Sequence, residues 1–294
     1  MMAGFLLLSL TCREAGAEEP QDAVLAGWAR LRLEATKFLV ASAQSDVERW
    51  PSEGSDASSV VHVRTVLRYF GSRRDHHAFS VRPEGWGVPA HWMEIDPGKR
   101  AREVTVSRGG RLHLRRFDPP PGRDVPWDGR WAEARSETKD LALGPESPGP
   151  CAGPFDPWSF LAHLRCLVEE PAPFRFQLFS NDGVHAVIAE KRGEERLSLE
   201  LRDLEDGTTA ERTLRVVRVE LLPAPGGPVP SVFGMNGGLS LLIDPASGAL
   251  VEITGRLEKV PGTVRFRLTG YSVRGRPRPA IPWPGEAANA SALP

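Results

Sequence analysis

The sequence predicts a mainly β fold, on three observations: apolar and polar residues alternate with period two from about residue 60 onward, glycine and proline are abundant, and only one segment has clear helical spacing. Val61, Val63, Thr65, Leu67 and Tyr69 share one strand face. Leu197, Leu199 and Leu201 alternate with Ser198, Glu200 and Arg202, and Val264, Phe266 and Leu268 alternate with Arg265, Arg267 and Thr269. Such alternation marks half-buried strands with one face in water. Residues 104–106, 112–114, 184–188 and 215–221 are weaker strands of the same kind. Leu239, Leu241 and Ile243, then Val251, Ile253 and Leu257, flank Asp244-Pro245-Ala246-Ser247-Gly248, which reads as a β-hairpin turn because proline fixes φ and glycine permits positive φ.

The helix is expected to begin at Asp156, whose carboxylate can accept from the unpaired N–H groups of a first turn. Pro157 loses nothing at the first helical position, Trp158, Leu161, Leu164 and Leu167 follow at helical spacing, and Pro171 and Pro173 end the run. Residues 22–50 fit a helix (Val24, Trp28, Leu31, Ala35, Leu39) or a strand (Leu31, Leu33, Ala35), and the second half reads better as strand. The Pro/Gly-rich stretches 118–126 and 144–157 read as loops inside one β-rich domain.

With 29 Gly and 27 Pro in 294 residues, the chain is richer in turn formers than an average domain but short of a low-complexity one. Lys and Arg total 37 against 38 Asp and Glu, a net charge of -1, which argues against a nucleic-acid or anionic-surface partner. The arginine excess over five lysines is spread along the chain and forms no single patch.

Residues 5–10 are an apolar run followed by Ala15-Gly16-Ala17, the small-x-small pattern of a signal peptide cleaved before Glu18. The expected organisation is a signal peptide at 1–17, a single β-rich domain at 18–273 and a Pro-rich disordered tail at 274–294, in a periplasmic or secreted protein. The apolar run is too short for an integral membrane span. Removing the signal also removes Cys12 and leaves Cys151 and Cys166, which either pair in an oxidising compartment or remain two buried thiols.

The order of features from Asp156 onward resembles a bacterial envelope family known as domain of unknown function 3108. The matching features are Asp156-Pro157-Trp158-Ser159-Phe160-Leu161-Ala162-His163-Leu164-Arg165, a proline-marked break, residues 174–179 leading into Asn181-Asp182-Gly183, and strands ending in Leu214-Arg215-Val216-Val217-Arg218-Val219-Glu220. The Asp244 hairpin and a last strand closing on Gly270-Tyr271 follow, and residues 92–117, with Glu94-Ile95-Asp96, look like the family's first half. The resemblance covers most of residues 30–273. It implies a curved antiparallel sheet, a half-barrel similar to the LolA and LolB lipoprotein carriers, with the short helix packed on the concave face.

Catalytic motifs are weak. Asp75-His76-His77 with His91 and Asp96 has metal-ligating side chains, but adjacent strand residues face opposite ways, and the run is expected to be a surface loop holding no metal. There is no Gly-x-Ser-x-Gly elbow, the glycine pairs lack the lysine of a phosphate loop, and no cofactor motif is present.

Two functions remain. The first is a non-catalytic envelope protein whose sheet and helix enclose an apolar groove for a lipid, lipoprotein acyl chain or partner segment, with Trp158, Leu161, Val264, Phe266 and Leu268 as binding residues. The same residues would equally fill a closed core. The second is a hydrolase or other enzyme acting on envelope polysaccharide or lipid, with carboxylates such as Glu94, Asp96 and Glu252 as acid and base. Ligand identity and oligomeric state are not written in the sequence.

Overall fold

The computed structural model describes residues 24–37, 41–50, 58–69, 72–83, 90–107, 109–119, 131–141, 154–179, 184–227, 229–232, 235–257 and 262–278. The expected signal peptide, with Cys12, and Cys151 lie outside the described residues. Strands β1 (Arg30–Lys37), β2 (Ala41–Trp50), β3 (Ser58–Tyr69), β4 (Ser72–Pro83), β5 (Ala90–Asp96), β6 (Arg100–Val106), β7 (Arg111–Asp118) and β8 (Ala132–Asp140) form one antiparallel meander. After β9 (Pro154–Phe155) come a 3-10 turn at Ser159–Ala162 and the short helix α1 (Arg165–Glu169). The chain then continues through β10 (Phe174–Phe179), β11 (Val184–Asp203), β12 (Thr209–Pro223), β13 (Ser231–Val232), β14 (Met235–Ile243), β15 (Leu250–Leu257) and β16 (Thr263–Ser272).

The sixteen strands among the described residues belong to one sheet, antiparallel apart from two two-residue parallel pairings, so the mainly β prediction holds. Its order is β8-β7-β6-β5-β4-β3-β2-β1-β16-β15-β14-β12-β11-β10-β9, with β13 on β14. The first and last strands of the main chain therefore pair at the centre, Leu31 opposite Tyr271 and Leu33 opposite Leu268. The end of β11 also meets β16 in parallel, Arg202 opposite Gly270, which joins β11, β12, β14, β15 and β16 into a closed ring of paired strands.

The sheet is strongly curved. Trp92 on β5 and Phe179 on β10 stack with ring centroids 5.4 Å apart, although their strands are ten places apart in the sheet order. At about 4.8 Å per strand a flat sheet would separate them by tens of ångströms. Strand residues from both halves, including Leu31, Leu33, Val47, Val61, Val63, Trp92, Phe179, Val219, Ile253 and Phe266, share one buried apolar cluster with Trp158, Phe160, Leu161, Leu164 and Leu167. A second, smaller cluster of Phe79, Met93, Ile95, Ala101, Phe117 and Trp131 covers the opposite face of β4 to β7.

The helical segment differs from expectation. Instead of one helix it has the 3-10 turn and the five-residue α1, separated at His163 (φ -125°, ψ 20°). The physical reason is in the spacing: Trp158, Leu161, Leu164 and Leu167 recur every third residue, which is the 3-10 period, whereas an α-helix would carry such a row steadily round its axis. The turn touches β3 and β4, and α1 touches β12.

Residues 75–77 are also corrected. They lie within β4, whose twelve residues pair with β3, and are not a surface loop; polar side chains in a two-sided strand hid its alternation. The candidates at 184–188 and 197–201 are one twenty-residue strand, β11, carried through an irregularity between Lys191 and Gly193, where Gly193 has φ 135°. The ambiguous segment 22–50 contains β1 and β2, as its second half suggested. Of the expected tail, residues 274–278 run back along β2: Trp50 Nε1 donates to the Arg276 carbonyl at 2.6 Å, and Arg276 lies 3.6 Å from Glu48. No helix among the described residues is long and apolar enough to cross a membrane.

Candidate functional site

The hairpin β5–β6 turns at Asp96-Pro97-Gly98-Lys99, with Gly98 at φ 70°, so residues equidistant from the turn face each other. Glu94 is opposite Arg102 and Asp96 opposite Arg100. Arg102 is in turn opposite Arg116 on β7, and Arg116 opposite Arg135 on β8. This sheet end encloses a cavity of about 540 Å³ lined by His76, Glu94, Asp96, Arg100, Arg102, Leu114, Arg116, Asp118 and parts of Ala101 and Phe117.

Glu94 is the hub. Arg102 grips it with two hydrogen bonds, Nε to Oε2 at 2.9 Å and Nη2 to Oε1 at 2.5 Å, and Trp158 Nε1 donates to Oε1 at 3.0 Å. His76 Nε2 lies 3.9 Å from Oε2, and its ring is tilted against the Trp158 indole with centroids 5.3 Å apart. Burial alone would raise the Glu94 carboxyl; the Arg102 charge, nearby His76 and the Arg102 hydrogen bonds outweigh it and hold Glu94 well below the usual carboxylate range. Glu94 is therefore a fixed anion. Asp96 accepts from Arg100 Nε at 3.1 Å.

Asp156 anchors the other side of Trp158. Its Oδ1 accepts from the backbone N–H groups of Trp158 (3.0 Å) and Ser159 (2.9 Å), as the capping signal predicted. Its Oδ2 accepts from Ser80 Oγ on β4 at 2.8 Å and from the Ser159 hydroxyl. Asp156 is fully buried, so these donors replace its hydration. At the far end of the segment the Lys191 ammonium donates to the carbonyls of Val168 and Glu170, capping α1 from β11. Gly248, at φ 69° in the Asp244 turn, presses against α1: a Cβ there would stand 2.7 Å from the Arg165 Cβ.

Of the sequence-predicted binding residues, Leu161, Phe266 and Leu268 are at most 2% exposed, Val264 6% and Trp158 8%. All five sit in the main apolar cluster. The sequence therefore brought together side chains that do meet in the interior, while the described cavity is lined by other, mostly charged residues. The polar role of Trp158 was missed; the symmetric charges around Pro97-Gly98 were the available signal.

Two of the three candidate carboxylates share a cavity and the third is apart from them. Glu94 and Asp96 line one cavity, each paired with an arginine, whereas Glu252 on β15 pairs with Arg265 (3.2 Å) and Arg267 (2.8 Å). His77 faces away from His76: its Nδ1 is 3.2 Å from His62 Nε2, and burial, with the neighbouring His62 and Arg64 adding to it, pushes it down to about 3. His91 bonds Glu103 at 2.8 Å. Among the described residues no group of three His, Cys, Asp or Glu side chains is placed to hold a metal ion. Cys166 is disulfide-bonded. Cys151, its expected partner, lies outside the described residues.

No family model and no curated protein match the chain. Among solved structures it is similar to a β-barrel-like protein of domain of unknown function DUF1849 from Brucella abortus, with a TM-score of 0.39 and 12% identity, covering 82% of this chain and 95% of that one.

Proposed function

We propose that the protein is an exported, non-catalytic binding protein of the bacterial envelope that takes up the acyl chain of a lipid or lipoprotein between its helical segment and its sheet. The observation that carries this reading is the makeup of the main cluster. The apolar side chains of Trp158, Leu161, Leu164 and Leu167 share it with Val264, Phe266 and Leu268 of the last strand. The segment's two helical pieces span four and five residues, far too few to be stable alone, so the segment keeps its shape through its contacts with the sheet. Its polar ties include Trp158 to Glu94, Asp156 to Ser80 and the Lys191 cap. Displacing it would uncover a strip of apolar sheet, and an acyl chain would restore the burial lost, at about 0.8 kcal/mol per methylene.

The state of Glu94 counts against it as the acid of a hydrolase. A general acid needs a carboxyl raised toward neutrality, and the Glu94 carboxyl is held the other way. The likeness of residues 30–273 to the domain of unknown function 3108 pattern, and through it to the LolA and LolB carriers, supports the proposal, as do the leader-like start and the disulfide-bonded Cys166.

Native mass spectrometry of the protein isolated from a bacterial envelope without detergent tests the proposal. A mature chain starting near Glu18 and carrying lipid-sized adducts is expected. A chain retained in the cytosol with Met1 present, or an envelope preparation free of lipid, would overturn it.

A further inference from the structure

The polar cavity carries an inference that does not rest on the acyl-chain reading. Arg102, Arg116 and Arg135 occupy directly opposed positions on β6, β7 and β8, so three guanidinium-bearing residues stand in one cross-strand row. Like charges directly opposite each other on neighbouring strands destabilise a sheet. Glu94 offsets the first member, gripped by Arg102. Arg116 makes no ion pair within 4 Å and no side-chain hydrogen bond with another described residue, its charge being met only at longer range by Glu137, and among the described residues Arg135 pairs with that same Glu137, at a loose 3.8 Å. The Glu137 carboxylate is itself held by Lys139 at 3.1 Å. Asp96 is taken by Arg100, and Asp118, which completes the acids facing this row, makes no ion pair among the described residues.

We propose that Arg116, which lines the 540 Å³ cavity beside Arg102 and Arg100 and stands opposite Arg135 on β8, is the anchor of a binding site for a phosphate monoester group that the cavity receives. A guanidinium presents paired N–H donors in a plane that matches two phosphate oxygens, and of the three arginines lining the cavity Arg116 is the one that no carboxylate holds by a hydrogen bond among the described residues. Leu114 gives the cavity an apolar wall, and Asp118 an acceptor for a hydroxyl on the molecule that bears the phosphate. A free small molecule and a lipid headgroup present the same phosphate oxygens, and two probes distinguish them.

The test uses the full mature chain with two probes: inorganic phosphate by calorimetry at low ionic strength, and flotation with phosphatidylcholine vesicles with and without phosphatidic acid. Arg116→Gln is the test variant; its side chain is exposed, so the fold is expected to persist, checked by circular dichroism. Arg192→Gln, an exposed arginine on β11, is the control. The expected result is binding of at least one probe, weakened about tenfold or more by Arg116→Gln and unchanged by Arg192→Gln. Phosphate binding without vesicle binding identifies a free ligand, and selective binding to phosphatidic acid vesicles a headgroup. Failure of both probes to bind, or equal affinity in the Arg116→Gln variant, would overturn the site. Phosphate binding that depends on Arg116 in a protein that takes up no acyl chain would leave this site standing and the acyl-chain reading refuted.

Discussion

Trp158 Nε1 donates a 3.0 Å hydrogen bond to Glu94 Oε1, tying the helical segment to the charged end of the sheet. The same carboxylate is gripped by Arg102, so one side chain couples the apolar interior to the polar cavity. Replacing Glu94 by Gln keeps an acceptor for the indole but leaves the Arg102 guanidinium without its counter-charge. A destabilisation of about 1–2 kcal/mol is expected, because the pair is only partly buried and water reaches part of the guanidinium, so losing one partner costs less than in a fully buried pair. Urea unfolding of Glu94→Gln measures it, and a cost within experimental error would show that solvent already neutralises Arg102.

Asp156 gathers two backbone N–H groups and two serine hydroxyls around one buried carboxylate. Asp156→Ala leaves these donors unpaired, at about 1–3 kcal/mol for each buried group that water cannot reach. The expected outcome is a loss of several kcal/mol and release of the segment, read as faster proteolysis after Arg165. Asp156→Asn retains an acceptor oxygen and should cost less than half as much.

The acid limb of stability separates two groups. The folded-state value of His77 is about 3, below its ordinary 6.5, so in moderate acid the unfolded chain binds a proton that the folded chain refuses. Its contribution is full above about pH 6.5 and is lost as pH falls toward 3. Glu94, Asp46 and Glu48 are also depressed, from 4.5, 3.8 and 4.5, so their contributions are lost only at lower pH. Between pH 7.5 and pH 5 the wild type should lose about 2 kcal/mol to His77. Urea midpoints across this window should flatten in His77→Gln, and an unchanged slope would assign the loss to other groups.

The physics behind each element explains how far the sequence could be read. β16 buries one face along its whole length and its alternation announced it, while β3, β12, β14 and β15 keep enough of that alternation to be read although parts of them are buried on both faces. β8 went unseen because Ala132–Asp140 lies at the sheet edge with nearly every side chain exposed, which leaves no apolar period to detect. β4 and β5 are buried on both faces, with Ala78 and Ser80 on one face of β4 and His77 and Phe79 on the other, and with Trp92 and Met93 on opposite faces of β5, and this blurred the pattern. The Asp156 cap was legible as local chemistry, whereas its Ser80 partner lies 76 residues away. Likewise the Glu94–Arg102 pair was readable from the Pro97-Gly98 hairpin, but the row extending to Arg116 and Arg135 depends on the register of two further strand pairs.

The most direct measurement of the central claim is quenching of Trp158 by a brominated acyl chain. The chain has 8 tryptophans, so the signal is the difference between wild type and Trp158→Phe on adding a bromine-labelled fatty acid in solution. If the acyl chain lies between the helical segment and the sheet, bromine reaches van der Waals distance of the indole, and saturable quenching should appear in the wild type and be largely lost in Trp158→Phe. Absence of quenching, or equal quenching in the two proteins, would contradict the account.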